Sequence, residues 1–419
     1  MDALFGDQPI FGFGPDPLSP HPPRCVDAVG DTSLDGLKAK VIQSCPRVPG
    51  VYGMLDRKGN LIYVGKSKSL RSRLLSYFAA SNSQEKGGRI IESARAIQWE
   101  SQPSEFAALV REQQLIRRFE PRWNVQGVPK RQRPVYLCLG KNPAMFFTIS
   151  RPSSAKTLKQ LTSEDCIAVE GPFYGAARMN AVVETLNKVF KLRDCGQKQT
   201  FQFADQLQLF DLDHRPGCLR LEIGTCLGPC AAACSRAAYD ERVSAAESFL
   251  DGFNHEPLDI VQQQMETAAA NHQYELAGRA RETIKALEYI DRKLKMLSQA
   301  RRRFTFIYAV PGHDGCGTWY LIHSGEIADC IAAPRNATEY DAIQDKMKSW
   351  ASMTASQLDR GHGAHPHTLS LVASWFRKNR DELDERTFAP HAAWDGKNRA
   401  PSWPRHSAGG IELQSSSGF

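Results

Sequence analysis

The stretch from Gly50 to Phe78 constrains the fold more than any other part of the chain. A first strand begins at Gly50, and a second covers Leu61–Gly65, because β-branched and aromatic residues dominate both runs. The charged segment Asp56–Asn60 lies between them, and its glycine supplies the positive φ that tight hairpin turns need. A helix is predicted over Leu70–Phe78. The sequence therefore predicts an antiparallel hairpin followed directly by a helix.

The side chains of this stretch are suited to binding phosphate. Tyr52 and Tyr63 come from the two strands, and Lys66 follows the second strand directly. Arg73 and Tyr77 lie one turn apart on the same face of the helix. Rigid elements thus present three hydroxyls and two cations to one region.

Two triplets in this stretch, Gly50-Val51-Tyr52 and Tyr63-Val64-Gly65, resemble the paired signature of the GIY-YIG nuclease superfamily. The string IYVGKSKSLRSRLLSYF, residues 62–78, is similar to the amino-terminal nuclease domain of the UvrC family of bacterial nucleotide excision repair. The segment LVREQQLIRRFEPRWNV, residues 109–125, resembles the same domain. Motifs this long and in this order are specific. The resemblance implies a DNA endodeoxyribonuclease.

The resemblance also assigns roles to single residues. It makes Glu112 the metal-binding carboxylate, against the alternative of a solvated helix glutamate. The catalytic residues that it implies are Tyr52, Tyr63, Lys66, Arg73, Tyr77 and Asn124.

Hydrolysis of a phosphodiester explains these residue types. The reaction needs an activated water, charge relief on the phosphoryl oxygens and help for the leaving oxygen. A single carboxylate with waters in the other positions suits Mg²⁺ or Mn²⁺, and Arg73 can bind the phosphate through its fork of donors. A tyrosine is a poor base unless a cation lowers its pKa. We expect Lys66 to be that cation, and the sequence does not choose between Tyr52 and Tyr63 as the base.

A cationic rim is predicted beside this site. Its DNA-binding residues are Arg71, Arg117, Arg118, Arg122, Lys130 and Arg131, with Arg111 and Arg133 on the same rim. Such a rim binds the DNA backbone rather than reading bases. The alternative is a solvated charged surface.

Composition limits the remaining possibilities. The chain has 419 residues, a formal net charge of +7 and eleven cysteines. No apolar run approaches the length of a membrane span, and no signal segment is evident at the start, so we expect a cytoplasmic protein. In that compartment the cysteines indicate thiols or a metal site rather than a disulfide framework.

Four cysteines follow the spacing C-x22-C-x7-C-x3-C: Cys195, Cys218, Cys226 and Cys230. Four thiolates suit zinc or an iron–sulfur cluster, and the spacing alone does not decide. The surrounding motifs are similar to those of the UvrC family, whose cysteines hold a [4Fe-4S] cluster. Gly217, inserted between Pro216 and Cys218, departs from the family pattern.

The pattern from about Tyr239 to Leu297 is helical. Ile260–Leu287 resembles the UVR motif, through which UvrC meets the corresponding motif of UvrB. The resemblance implies a UvrB-like partner, with Met265, Tyr274 and Ile284 among the contact residues. An ordinary internal helical hairpin is the alternative.

The fold class expected is α+β, with a three-stranded antiparallel or mixed nuclease sheet flanked by helices, a cysteine-cluster domain, a helical UVR-like hairpin and a small C-terminal β-containing region. The predicted boundaries are a flexible leader (1–32), the nuclease domain (33–128), the linker and cysteine domain (129–238), the helical domain (239–298), a C-terminal domain (299–395) and a disordered tail (396–419). After Leu297 the resemblance thins, and the remaining residues are too few for the RNase H-like and helix-hairpin-helix domains of the family. The shorter Cho nucleases are also similar.

The predicted activity is a single metal-dependent nick in damaged double-stranded DNA, on the 3′ side of the lesion. Two alternatives remain: a catalytically retired module that docks DNA and UvrB, and a structure-specific nuclease outside repair. The intact set of catalytic side chains speaks against the first.

Overall fold

The computed structural model describes residues 13–21, 26–79, 86–124, 134–152, 155–161, 165–195, 201–206, 218–356 and 366–389. These residues divide between two compact units. Unit 1 combines residues 1–132, 301–360 and 371–419, and unit 2 combines residues 133–300 and 361–370.

Within the described residues, eleven strands form three antiparallel sheets. The strands are β1 (Val26–Gly30), β2 (Gly50–Leu55), β3 (Leu61–Ser67), β4 (Ala96–Ser101), β5 (Val135–Gly140), β6 (Phe146–Ser150), β7 (Cys166–Phe173), β8 (Phe306–Val310), β9 (Thr318–His323), β10 (Glu326–Ala332) and β11 (Thr387–Phe388). The sheet orders are β1-β4-β2-β3 and β10-β9-β8-β11 in unit 1, and β6-β5-β7 in unit 2.

Helices occupy most of the remaining described residues. They are α1 (Leu34–Ser44), α2 (Leu70–Ala79), α3 (Lys86–Ser93), α4 (Glu105–Phe119), α5 (Ala155–Gln160), α6 (Ala176–Val189), α7 (Leu219–Glu222), α8 (Arg236–Leu250), α9 (Glu256–Ala270), α10 (Tyr274–Arg303), α11 (Ala337–Ser356), α12 (Pro366–Lys378) and α13 (Arg380–Glu385). No described helix combines the length and the apolar character needed to cross a membrane.

The predicted hairpin is confirmed as β2 and β3. Its turn is fixed by Asp56, whose carboxylate accepts hydrogen bonds from the amides of Lys58 and Asn60 at 2.9 and 3.0 Å. Gly59 has a φ of 74°, the conformation that the turn requires. Tyr52 pairs with Gly65 across the hairpin. The local sequence therefore sets the register that places the catalytic tyrosines.

The nuclease sheet has four strands in the described residues, so the prediction of three was wrong. The fourth, β1, comes from the predicted leader and pairs antiparallel with β4. Phe13, also from the leader, is only 1% exposed and packs with Val51, Val64 and Leu115. A segment rich in proline and glycine has no periodicity, so only its long-range partners reveal that it is ordered.

The C-terminal region, here residues 304–356 and 371–389, packs in the same unit as the nuclease sheet. Phe106 and Val110 of α4 share one apolar cluster with Tyr308, Tyr320 and Trp375. The predicted boundary at residue 299 therefore separates elements that bury a common core.

Unit 2 contains the β6-β5-β7 sheet and the helices from α5 to most of α10. Its helix α6 starts at Ala176. Buried Asn187 of α6 bonds both backbone groups of Phe147, at 2.9 Å to the amide and 3.0 Å to the carbonyl. This pair anchors α6 to strand β6.

Candidate active site

Three tyrosines lie together where the hairpin meets α2. The ring centroids of Tyr52, Tyr63 and Tyr77 are separated by 6.0 to 6.2 Å. The hydroxyls of Tyr52 and Tyr77 are 2.8 Å apart and share a hydrogen bond. Gly65 makes room for this arrangement, since a Cβ at that position would lie 2.5 Å from Tyr52 Oη. The second glycine of the paired triplets is thus required by a close approach, not by a turn.

Arg73 ties the tyrosines together. Its Nε donates to Tyr52 Oη at 3.3 Å, and its Nη2 donates to Tyr77 Oη at 3.5 Å. The guanidinium also lies 5.1 Å from the Tyr77 ring centroid, within the range of a cation–π contact. The i, i+4 spacing on α2 produces this contact, as the sequence predicted.

Burial raises the pKa of all three tyrosines above the ordinary value, and their mutual proximity adds to the effect. Arg73 opposes it. The expectation that Lys66 lowers a tyrosine pKa was wrong, because the Lys66 ammonium pairs instead with Glu105 at 3.0 Å. The cation that acts on the tyrosines is Arg73.

Glu112 lies on α4 beside the end of β3. Its Oε1 accepts a hydrogen bond of 3.0 Å from the backbone amide of Lys66. Burial raises the pKa of this carboxyl to about 7, and the charges of Lys66 and Arg73 only partly offset the desolvation. The negative charge of Glu112 adds to the rise in the pKa of Tyr63, after burial and the neighbouring Tyr77. Among the described residues, the hydrogen bond to this carboxyl goes to Oε1, which leaves Oε2 as a possible ligand for a cation.

Asn124 fixes the strand that carries Tyr63. Its Oδ1 accepts from the Val64 amide at 2.9 Å, and its Nδ2 donates to the Val64 carbonyl at 2.8 Å. The Trp123 amide donates to the Ile62 carbonyl at 3.0 Å. The chain after α4 thus extends the sheet edge beside β3, which gives the predicted supporting role of Asn124 a structural basis.

Replacing Asn124 with alanine should lower the free energy of unfolding by about 2–4 kcal/mol, since both Val64 backbone groups lose their partner in a buried place. Nicking of DNA should fall as well, because β3 carries Tyr63. Urea unfolding and a nicking assay measure the two effects. Asn187→Ala is the matched control, because it removes the same bidentate bond from Phe147 in unit 2. An equal loss of nicking in both variants would contradict a local role for Asn124.

The comparisons with known proteins agree with this geometry. Residues 48–125 match the family model described as a UvrC-like GIY-YIG domain, and residues 144–249 match the middle domain of UvrC/Cho excinucleases. Residues 48–125 form a UvrC-like GIY-YIG endonuclease domain.

Curated relatives extend the similarity beyond the GIY-YIG domain. The UvrABC system protein C of Methylococcus capsulatus is 31% identical over 297 residues, which is 70% of this chain and 45% of that protein. The same-named protein of Salinibacter ruber is 29% identical over 294 residues, 68% of this chain and 43% of that protein. The chain therefore spans less than half the length of these relatives. A crystal structure of the GIY-YIG endonuclease domain of UvrC from Thermotoga maritima, bound to magnesium, is 37% identical, with coverage of 21% of this chain and 96% of that chain and a TM-score of 0.19.

The cationic rim differs in part from the prediction. Arg111 is only 2% exposed and binds the Glu100 carboxylate at 3.0 Å and the Gly14 carbonyl at 2.6 Å. Arg111 therefore connects buried segments of the fold and is not part of the cationic rim. The surface of the GIY-YIG domain keeps Arg118 and Arg122 exposed.

The other residues predicted to bind DNA are either half-buried or outside the described residues. Arg71 is half-buried and donates from Nε to the Cys45 carbonyl at the end of α1, so part of its donor capacity is used within the fold. Arg117 is half-buried as well. Lys130, Arg131 and Arg133 lie outside the described residues.

Three of the predicted cluster cysteines lie near enough to the fourth, Cys226, to act on its thiol. Burial raises the pKa of Cys226 to about 11, and Cys195, Cys230 and Cys218 raise it further. The Gly228 amide donates to Cys226 Sγ at 3.4 Å. Within the described ranges, however, no group of three or more His, Cys, Asp or Glu side chains is arranged so that it could hold a metal ion. Iron–sulfur ligation therefore stays a prediction.

The predicted partner-binding residues lie on two consecutive helices, α9 and α10. Tyr274 at the start of α10 is 70% exposed. Met265 on α9 and Ile284 on α10 are half-buried. The large exposed tyrosine is available to a partner, whereas the other two also contribute to packing.

The residue that sequence reasoning missed is Glu105. Its two carboxylate oxygens bind Lys66 at 3.0 Å and Lys68 at 2.9 Å. The available signal was an acidic residue directly after the helix cap Ser104, combined with two lysines at the end of β3 and just beyond it. Nothing local in the sequence brings these two segments together.

Proposed function

We propose that this chain is a DNA endonuclease that makes one metal-dependent nick, on the 3′ side of a lesion, during nucleotide excision repair. The observation that carries the proposal is the arrangement of Arg73 and three tyrosines beside the half-buried Glu112 carboxyl. Hydroxyls, one guanidinium and one carboxylate in a confined place match the needs of phosphodiester hydrolysis.

The donor chemistry at Glu112 fits a hard divalent cation. A carboxylate whose pKa is raised by burial lacks a compensating charge, and Oε2 is free to supply an oxygen ligand. Mg²⁺ and Mn²⁺ accept one or two carboxylates and keep several waters. When bound, such an ion would supply charge relief on the phosphate and help for the leaving oxygen.

The tyrosines and Arg73 have different proposed roles in the reaction. Tyr63 is the candidate to accept the proton of the attacking water. Because burial, Tyr77 and Glu112 raise its pKa, it can do so only as the tyrosinate, the form that the charge of Arg73 favours. Tyr52 is fully buried and bonded to Tyr77 and Arg73, so its role is to orient them. Arg73 can bind a phosphoryl oxygen with the donors it does not use on the tyrosines.

The pH dependence follows from the pKa of Glu112. Because that pKa is about 7, a proton competes with the cation below pH 7 and is absent well above it. The cation concentration needed for half-maximal nicking should therefore rise about tenfold per pH unit below 7, and level off above pH 8. Titrations of Mg²⁺ at several pH values measure this, and a flat requirement from pH 5.5 to 8 would contradict it.

We also propose that Cys195, Cys218, Cys226 and Cys230 hold a [4Fe-4S] cluster, with zinc as the alternative. The supporting observation is that all three other thiols act on buried Cys226, and an amide donates to its sulfur, as amides do around bound clusters. Iron, sulfide and zinc contents of protein purified without oxygen decide between the two. Cys234→Ser is the control, since Cys234 lies in the same segment outside the set.

The partner proposed is a UvrB-like protein that contacts the exposed start of α10. Tyr274→Asp should weaken binding to a purified UvrB-like protein. Phe253→Asp, at a residue 76% exposed between α8 and α9, is the matched control outside the hairpin and should bind normally.

An end-labelled duplex with one lesion tests the whole proposal. Wild type and a Glu112 variant are compared with Mg²⁺, with and without the UvrB-like protein. A single 3′-side nick that needs the partner and Glu112 supports the proposal. Inertness of both proteins with intact DNA binding would favour a docking module instead. Partner-independent nicking of undamaged branched DNA would favour a structure-specific nuclease outside repair.

A further inference from the structure

A chain of contacts connects the C-terminal region to the nuclease site through the first turn of α4. The Pro103 carbonyl accepts a hydrogen bond of 3.0 Å from the His313 amide, in the loop between β8 and β9. Ser104 caps the helix by accepting from the Ala107 amide at 3.1 Å. These two hydrogen bonds, one to Pro103 and one to Ser104, therefore fix the first turn of α4, which begins with Glu105.

Phe106 is the apolar anchor of this turn. It is 1% exposed, and its ring lies 5.1 Å from the rings of Tyr308 and Tyr320 and 5.3 Å from that of Trp375, in edge-to-face geometry. All three partners belong to the C-terminal region. Edge-to-face aromatic pairs contribute specific orientation beyond the area that they bury.

Hydrogen bonds connect Glu382 with Tyr308 and Trp375, whose rings lie against that of Phe106. Tyr308 Oη bonds the Glu382 carboxylate, and Trp375 Nε1 donates to Tyr308 Oη at 3.0 Å and to Glu382 Oε2 at 3.1 Å. Glu382 also adds to the rise in the pKa of Lys68, whose main cause is the bond to Glu105. The rotamers that surround Phe106 are thus fixed by hydrogen bonds within the C-terminal region.

Glu105 extends from the held turn toward the end of β3. It binds the ammonium groups of Lys66 and Lys68, and its pKa lies below the ordinary value because these bonds outweigh the effect of burial. The Lys66 amide binds Glu112 Oε1, so one residue connects the two carboxylates. Because the Lys66 ammonium pairs directly with Glu105, Lys66 contacts the Glu112 carboxyl through its backbone amide and not through an ion pair.

We propose that Glu105 is a positioning residue of the nuclease site, and that the C-terminal region holds it there through Phe106. This inference rests on the proposed nuclease function. Glu105 holds the Lys66 ammonium in a direct ion pair, so that Lys66 acts on Glu112 through its charge without pairing with it, and it fixes the end of β3. The C-terminal region thereby becomes part of the structure that supports the nuclease site.

Glu105→Gln tests the positioning role in the full-length chain. Freeing two ammonium groups should strengthen DNA binding, so KM for DNA should fall about threefold. The value of kcat should fall about tenfold, and the Mg²⁺ requirement should rise, because Lys66 can then pair with Glu112. Glu339→Gln is the control, since Glu339 pairs with Arg335 at the surface of the C-terminal region. An unchanged or raised kcat in Glu105→Gln overturns the proposal.

Amide hydrogen exchange tests the contact chain without DNA. Exchange at the Lys66 amide should accelerate about tenfold in Phe106→Leu and in Tyr308→Phe, a change that removes one hydroxyl and keeps the ring. Normal exchange at Lys66 in both variants overturns the role of the C-terminal region. If wild type fails to nick any DNA, the proposed function fails, whereas this exchange experiment still reports on positioning.

Discussion

Replacing Glu112 with glutamine is expected to reduce nicking at least about a thousandfold while making the metal-free protein more stable. The loss of activity follows because the amide binds a divalent cation poorly and the reaction loses its electrostatic support. The gain in stability follows from the raised pKa. Activity and the free energy of unfolding should therefore change in opposite directions in this one variant.

The sign of the stability effect can be worked out from the shift. Folding raises the pKa of Glu112 from 4.5 to about 7, so the folded state binds this proton more tightly than the unfolded state. The cost of the ionised carboxylate is fully present above pH 7 and disappears as the pH falls through 7 toward 4.5. At pH 8, without divalent cations, Glu112→Gln should therefore be more stable by about 2 kcal/mol.

Urea unfolding at pH 8 and pH 5, with chelator present, measures this difference, and single-turnover nicking measures the loss of activity. Glu339→Gln should change neither. Retained nicking in Glu112→Gln would remove Glu112 from the site, and lower stability at pH 8 would show that its carboxylate is well compensated in the folded protein.

Replacing Tyr63 with phenylalanine should reduce the nicking rate about a thousandfold, and replacing Tyr52 in the same way should reduce it only about tenfold. Tyr63 interacts with Tyr77 and with the charge of Glu112, the proposed cation ligand. Tyr52 is fully buried and its hydroxyl is bonded to Tyr77 and Arg73. A group that accepts the proton of the attacking water contributes far more than one that orients its neighbours. The structure thus proposes an answer to a choice that the sequence left open.

Single-turnover rates of the two variants at saturating DNA and Mg²⁺ measure this contrast. Tyr340→Phe, at a partly exposed tyrosine on α11, is the matched control for the loss of one hydroxyl. The assignment would be reversed if the Tyr52 variant were the slower of the two. Equal small effects would mean that neither hydroxyl accepts the proton.

Much of the candidate site could be predicted because its residues are close together in the sequence. The hairpin of β2 and β3, helix α2 and the Arg73–Tyr77 pair all depend on spacings of a few residues, where local geometry decides. The helix that carries Glu112 also begins at a local signal, the cap residue Ser104. The resemblance to a family then supplied roles that periodicity could not.

The errors concern contacts between distant parts of the chain. Arg111 looked like one more surface arginine of a basic helix, but it is buried against Glu100 and the carbonyls of Gly14 and Pro15. The segment that contains Phe13 carries no periodic signal, so its burial depends entirely on the groove that the nuclease sheet offers. Lys66 was assigned to the tyrosines because it follows Tyr63 in the sequence, whereas its ammonium pairs with α4.

The sequence by itself determined the hairpin, the helix behind it and the set of candidate catalytic groups, because short-range turns, periodicity and motif spacing encode them. Only the tertiary structure decided the protonation and pairing of those groups. The raised pKa of Glu112, the pairing of Lys66 with Glu105 and the burial of Phe106 under the C-terminal region all depend on segments tens to hundreds of residues apart. Desolvation and charge pairing are properties of the packed surroundings, and a linear pattern does not contain them.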